Sequence, residues 1–385
     1  MTEISENTAS IVNPRYSQHA TRVMFFIAGF ATAAWAALVP FARLNTGVND
    51  GTLGLLLLFL GGGALIAMPL TGIITARLGC RRVLLVSTLL FCLMLPVLSV
   101  TGSVWLLALA LLLFGVGIGV TDCAMNIQAI LVEKDSGRAM MSGFHGFYSV
   151  GGIAGAGVMS ALMAPGLSPL TSTLIVCVMV VAMLLAAAAG LLPFSDKSSG
   201  PAFAIPRGAV LVIGAICFVS FLAEGTVLDW SAIYLTEAKN LPATMGGLGF
   251  ACFSVTMTLG RLTGDKVVAR FGPRRVVLIG ALIAACGFVC TIASSSAVLT
   301  LIGYLLIGAG CANIVPVMFS AAGRQANMPA AVAVPAVTTL GYLGVLAGPA
   351  AIGFVAHHAS LDSAFLIVIV LVLIAARASG RVRMS

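Results

Sequence analysis

The sequence predicts an all-α polytopic membrane protein, twelve transmembrane helices arranged as two six-helix halves. Three observations carry that prediction. Hydrophobic residues make up 60% of the 385-residue chain and charged residues only 8%, with a mean hydropathy of +1.12. A soluble globule carries charge on about a quarter of its residues. Next, the apolar runs are continuous instead of alternating, which excludes a transmembrane β-barrel. A hydrocarbon core of about 30 Å takes about 20 apolar residues per helix, so the chain has room for about a dozen crossings. Finally, the chain repeats itself: RLGCRR at Arg77–Arg82 returns as RFGPRR at Arg270–Arg275. AGFATAAW (Ala28–Trp35) likewise lines up with AEGTVLDW (Ala223–Trp230), and TLGL (Thr52–Leu55) with GLGF (Gly247–Phe250), at offsets between 191 and 195 residues. Six-span halves related as parallel repeats are one architecture that transporters use, with the solute held between the halves near the bilayer midplane.

Taken in order, the spans fall at 18–42, 51–76, 83–101, 104–131, 139–164, 170–193, 208–236, 244–267, 276–293, 297–321, 331–356 and 361–376. The first fourteen residues are polar, and the run after them is too long for a cleaved signal peptide, so the first helix is expected to stay as a span. With the N-terminus in the cytoplasm, Arg43 and Lys239 are the only basic residues on the far side. The other eighteen of the 20 lysines and arginines lie at or near the cytoplasmic face, a strong positive-inside bias. The last apolar run is short, but Arg377, Arg381 and Arg383 directly after it put its end in the cytoplasm and make the count even. Phe194 to Arg207, with SDKSSGP and Pro206, is the longest polar connector. It divides an N-terminal half (1–193) from a C-terminal half (208–385), with 194–207 as a cytoplasmic linker.

The net charge of +8 is accounted for by topology, so nucleic acid is not an expected partner. Of the nine cysteines, all but Cys80 fall inside predicted spans, and C-x-x-C does not occur. Neither a disulfide framework nor a metal site follows. No G-x-x-x-x-G-K-[ST] loop exists, and GVGIG at Gly115–Gly119 lies within a span, so nucleotide hydrolysis is not expected to drive the protein. No nucleophile has a definable partner. The chain is read as no enzyme, without cofactor.

The pattern G-x-x-x-x-R-x-G-x-R-R at Gly72–Arg82, whose R-x-G-x-R-R part is doubled at Arg270–Arg275, resembles the signature loop of the major facilitator superfamily. Four further stretches are similar to a bacterial branch that contains the rhizopine-transport protein and the inner-membrane protein YbjJ. They are MNIQAILVE (Met125–Glu133), MMSGFHGFYSVGGIAGAG (Met140–Gly157), AEGTVLDW and GYLGVLAGP (Gly341–Pro349). The resemblance spans essentially the whole chain. It implies a secondary transporter that works by alternating access as a monomer in the inner membrane, and a cytoplasmic latch built from the signature loop. The latch candidates are Gly72, Arg77, Gly79, Arg81, Arg82, Arg261, Asp265 and Arg270. One departure stands out: where the family usually carries an acid before the first arginine, this chain has Ala76. In the second copy Arg261 and Asp265 are one turn apart beside Gly264, where an i,i+4 pair can form. The latch is therefore expected to be one-sided, leaning on Glu133 or on the second half.

Carboxylates in a span cost a few kcal/mol on insertion scales and are retained for a partner, a water-filled cavity or a function. Glu224 lies near the middle of span seven, and Asp229 five residues on is about 140° away around the helix. One reading makes Glu224 a proton-loading or cation-binding acid, because a carboxyl taken out of water exchanges its proton nearer neutrality. The other makes it a protonated interhelical hydrogen-bond donor, with Asp229 a cap or pair near the periplasmic mouth. Asp122 sits in span four with Asn126 one turn on, and matching Gly117 and Gly119 to Gly308 and Gly310 places it opposite Asn313. It is read either as a second coupling acid or as the partner of an arginine near the cytoplasmic face. His145 opens a stripe with Tyr148, Ser149 and Gly152 that either meets a polar solute or satisfies itself on a backbone carbonyl. The glycines Gly151, Gly152, Gly155 and Gly157 are read as close-packing positions. Trp35 and Trp230 take matching places as interfacial anchors or as stacking surfaces. Together these give proton coupling by Glu224, Asp122 and Asp229, with sodium as the alternative ion. Asn126, His145, Tyr148, Trp35, Trp230 and Asn313 then line a site for a small sugar-like or polyol solute. An exporter exchanging solute for protons, and a non-transporting sensor or scaffold, are the rival functions.

Overall fold

The protein's computed structural model describes residues 13–195, 206–293, 295–325 and 328–384. Its helices are α1 (Pro14–Thr46), α2 (Asp50–Val100), α3 (Val104–Ser136), α4 (Met141–Met163), α5 (Pro169–Ala188), α6 (Ala209–Ile233), α7 (Leu248–Phe271), α8 (Pro273–Ala293), α9 (Ala297–Cys311), α10 (Ile314–Ala322), α11 (Ala330–His358) and α12 (Leu361–Ser379). Local chemistry sets many of the ends. Asn13 accepts a hydrogen bond from the Tyr16 N–H with Pro14 in the first turn, and Gly47, at φ 66°, closes α1, the left-handed position that glycine tolerates. Asn49, Ser103, Ser168 and Ser360 cap the starts of α2, α3, α5 and α12 in the same way, each accepting from an N–H that the first turn leaves unpaired.

Among the described residues, ten helices are long and apolar enough to cross a membrane. α2, at 51 residues, would extend about 76 Å and makes two crossings. Its backbone leaves helical geometry at Gly79 (φ 79°, ψ 158°), where a Cβ would lie 2.1 Å from the Pro193 carbonyl oxygen. Gly272, at φ 80°, separates α7 from α8 at the matching place of the second copy. α7 falls outside the hydropathy count because its last turns hold Arg261, Asp265, Lys266 and Arg270, yet its 24 residues are long enough to cross. Twelve crossings result, with α9 and α10 together making the tenth. Where the sequence predicts a turn between the second and third spans, a single residue breaks the helix. Where it predicts one continuous tenth span, the helix is interrupted at Ala312–Asn313. Residues 196–205 of the expected linker and the polar residues 1–12 lie outside the described residues.

Within the first half α1 packs on α4 and α2 on α3; within the second, α6 packs on α11 and α8 on α9. Small residues allow these approaches. A Cβ on Gly151 or Gly155 would lie 2.2 Å from the carbonyl oxygen of Phe26 or Phe30, and one on Gly344 2.2 Å from that of Phe218. In a membrane, close packing of this kind replaces the hydrophobic effect as the force between helices. Gly152 and Gly157 meet nothing, so the packing role predicted for all four glycines holds for two. The halves touch through α4 on α7 and α2 on α11. The α4–α7 seam holds Ser149, Arg261 and Asp265.

Candidate functional site

Arg261 of α7 lies in the seam at 7% exposure. Its Nη2 donates to Glu224 Oε2 at 3.2 Å and Oε1 at 3.4 Å on α6. Nη1 donates to Ser149 Oγ at 3.2 Å on α4, in the other half, and Nε to the Ala312 carbonyl at 3.4 Å. That carbonyl is available because the tenth span breaks there. A buried guanidinium with a carboxylate and neutral acceptors on several sides meets the conditions under which an ion pair is tolerated away from water. The i,i+4 pairing of Arg261 with Asp265 predicted from spacing does not form: Arg261 points to the middle of the bundle and Asp265 to its end.

A second chain of polar groups runs through the first half. The Asn126 amide donates to the Asp122 backbone carbonyl at 2.9 Å and to Asp122 Oδ1 at 3.4 Å. Asn126 Oδ1 meets His145 Nε2 at 3.2 Å. The imidazole sits between the rings of Phe25 and Phe319. Among the described residues Asp122 makes no ion pair, so the expected structural arginine is absent and its carboxylate has only Asn126. Tyr148, one turn beyond His145, lies within electrostatic range of Asp122, Arg261 and Glu224. Glu224, Arg261, Ser149, Tyr148, His145 and Asp122 thus form one polar region spanning both halves.

Four predicted lining residues stand elsewhere. Asn126 is fully buried, so it positions its neighbours and does not line a cavity. Trp35 is buried against the Phe114 ring, inside the first half, neither at an interface nor in the seam. Trp230 packs against Gly353 of α11, and its buried indole N–H has no protein partner. Asn313 donates to the Gly260 carbonyl at 3.1 Å and fills the space above Gly264, which makes it part of the helix break. Asp229 is exposed, on a different side of α6 from Glu224.

At the basic end, carboxylates of both halves meet the start of α4. The N–H groups of Met140 and Met141 donate to Glu133 Oε2 at 2.9 and 3.0 Å, and the Gly143 N–H to both oxygens of Asp265 at 3.1 Å. Two carboxylates, one from each half, therefore satisfy the unpaired N–H groups at the positive end of α4. Arg324 reaches Glu133 at 3.5 Å. In the first copy, Gly72 instead lets α2 close on α11, where a Cβ would lie 1.8 Å from the Ala331 carbonyl oxygen. Arg77, Arg82 and Arg270 are exposed, and Arg81 is half-buried. By sequence pattern Arg261 belongs to the latch, not to the central site. The contrary signal was its depth: a basic residue nine positions inside the arginine turn, within a span, calls for a buried partner.

Two helical halves meet at a buried polar seam. The chain belongs to the Major Facilitator Superfamily, whose family description matches residues 23–213 and 213–378. An uncharacterized MFS-type transporter of Yersinia pestis is 51% identical over 372 residues, covering 96% of this chain and 97% of that one. The membrane protein MosC of Rhizobium meliloti is 31% identical, covering 94% and 88%. Among solved structures, the Escherichia coli fucose:proton symporter FucP superposes with a TM-score of 0.74 at 18% identity, covering 95% of this chain and 98% of FucP. The human organic anion transporter MFSD10 does so with a TM-score of 0.76 at 16% identity, covering 95% and 99%. The chain is thus a multi-pass secondary transporter for a small molecule.

Proposed function

We propose that the protein couples proton entry to uptake of a small polar solute, sugar-like or polyol in character, across a bacterial inner membrane with both termini in the cytoplasm. The observation that carries this reading is Arg261 bound at once to Glu224 of its own half and to Ser149 of the other. The ionised Glu224 anchors Arg261 in the seam. A proton arriving on Glu224 cancels that charge, and Arg261 becomes free to donate to a solute oxygen instead. With the cross-half bond exchanged for solute contacts, the halves can rock. The solute drives this only to the extent that it binds one state better than the other. Asp229, exposed on the same helix, takes protons in from the periplasmic side, and Asp122, which lacks a counter-ion, is the second acid of the site.

FucP, a fucose:proton symporter by name, and the proton:xylose symporter XylE lend the reading its solute class and its ion. Screening sugars and polyols for thermal stabilisation of the purified protein identifies a ligand by mass action. Proteoliposomes with an acid exterior are then expected to accumulate that ligand, and to stop when the pH gradient is collapsed. Efflux under the same gradient would establish exchange in the outward direction, and dependence on sodium alone would replace the proton.

A further inference from the structure

The central site holds an arginine that donates and carboxylates that accept with charge; the question is what its histidine does. We infer that Asn126 fixes His145 in the tautomer with its proton on Nε2, leaving Nδ1 as a neutral acceptor for a hydroxyl of the solute. This rests on the solute site proposed above. It starts from one atom that can only accept, the backbone carbonyl of Asp122.

The Asn126 side chain has its nitrogen 2.9 Å from that carbonyl. Amide nitrogen and oxygen are assigned from their partners, and a carbonyl partner leaves no choice. The same nitrogen faces Asp122 Oδ1, so the amide oxygen must be the atom 3.2 Å from His145 Nε2. Two acceptors cannot share a hydrogen bond, hence Nε2 carries the proton. A neutral imidazole with Nε2–H has a bare Nδ1. A second proton would put a charge against the rings of Phe25 and Phe319, where it is costly.

Among the described residues Nδ1 has no hydrogen-bond partner, and it is not one of the buried side-chain atoms left without one. The residue is 8% exposed, on the stretch of α4 that continues to Tyr148 and to Ser149, the acceptor of Arg261. Nδ1 reads a donor without asking for a charge. A site built this way discriminates against a solute that lacks the hydroxyl, because its acceptor is left unpaired. Asn126, fully buried, never touches solute and acts as a positioning residue.

The chain has four histidines, so full-length protein labelled with nitrogen-15 histidine in nanodiscs gives few ring signals, and His145→Asn identifies the one of interest. At neutral pH, long-range proton–nitrogen correlations are expected to show a protonated Nε2 and a bare Nδ1. Asn126→Ala is expected to yield a mixture of tautomers. A proton on Nδ1 in the wild type, a doubly protonated ring, or an unchanged single tautomer in Asn126→Ala would overturn the assignment, the first two without needing the variant to fold. With D-xylose, L-fucose and D-sorbitol as probes, the Nδ1 signal is expected to shift for at least one of them while Nε2 stays. No Nδ1 shift with any of the three overturns the solute-reading role. Neither result touches proton coupling through Glu224, which is tested by transport.

Discussion

Gly72 and Asp265 occupy the same place in the two copies of the arginine turn, and each sits in a seam between the halves. In the α2–α11 seam the closing contacts are steric, with Gly72 against the Ala331 backbone and Gly61 against the Leu346 side chain. The α4–α7 seam also packs closely, with Gly146 against Leu262, but it adds polar contacts: Asp265 holds the Gly143 N–H at the basic end, and Arg261 holds Ser149 deeper in. One seam is therefore closed by shape, which tolerates no added atom. The other is also held by charge-assisted hydrogen bonds, which can be exchanged for other partners one at a time. The proposed coupling falls in the seam whose bonds can be exchanged, which Glu224 reaches through Arg261.

Substitutions should separate the two seams. Arg261→Ala leaves Glu224 partly buried without its cation, and losing one partner of a buried pair costs about 3–5 kcal/mol. The largest fall in thermal stability and complete loss of uptake are expected there, and a wild-type melting temperature would mean the pair carries no load. Gly72→Leu forces α2 from α11. Uptake is expected to fall more than about tenfold, because small shifts at a packed contact flip an interface between discrete arrangements. Spin-label distances across the α2–α11 seam at the basic end should lengthen, and they should do so equally at low and high salt. Asp265→Asn removes a carboxylate from a helix N-terminus, worth about 0.3–2 kcal/mol. The α4–α7 distance distribution should broaden toward the open state, with Glu133 still capping the first N–H groups; an unchanged distribution would assign the closure to shape alone. Ser149→Ala, the mildest change, removes one hydrogen bond of about 1 kcal/mol that solute must displace from Arg261, and is expected to lower the solute concentration for half-maximal uptake severalfold without changing the pH dependence.

Much of the architecture is legible in the sequence because a membrane leaves few choices: continuous apolar runs can only be helices, and the doubled arginine turn gives the repeat. Glu224 is legible for the same reason, as an acid that hydrocarbon would otherwise reject. Its partner is less so. Spacing along one helix favours Arg261 with Asp265, but the two side chains find Glu224 and the start of α4, partners 37 and 122 residues away, which no local pattern encodes. Trp35 and Trp230 match in the repeat, yet Trp35 is buried beside Phe114 while Trp230 is half-buried against Gly353 of α11. A repeat fixes where a residue sits along its helix, while the neighbouring helices decide what it meets. Asn126 misleads in the same way: a polar residue one turn from an acid looks like part of a binding face, and only burial reveals it as a support.

The most direct test of the coupling proposal is to compare two assays on Glu224→Gln in proteoliposomes, using the ligand found by thermal stabilisation. Glutamine keeps the size and an acceptor for Arg261 but cannot take up a proton. Uptake driven by a pH gradient is expected to vanish while solute counterflow at equal pH persists near the wild-type rate. Loss of both together would contradict coupling at Glu224 and leave it a structural or solute-binding residue.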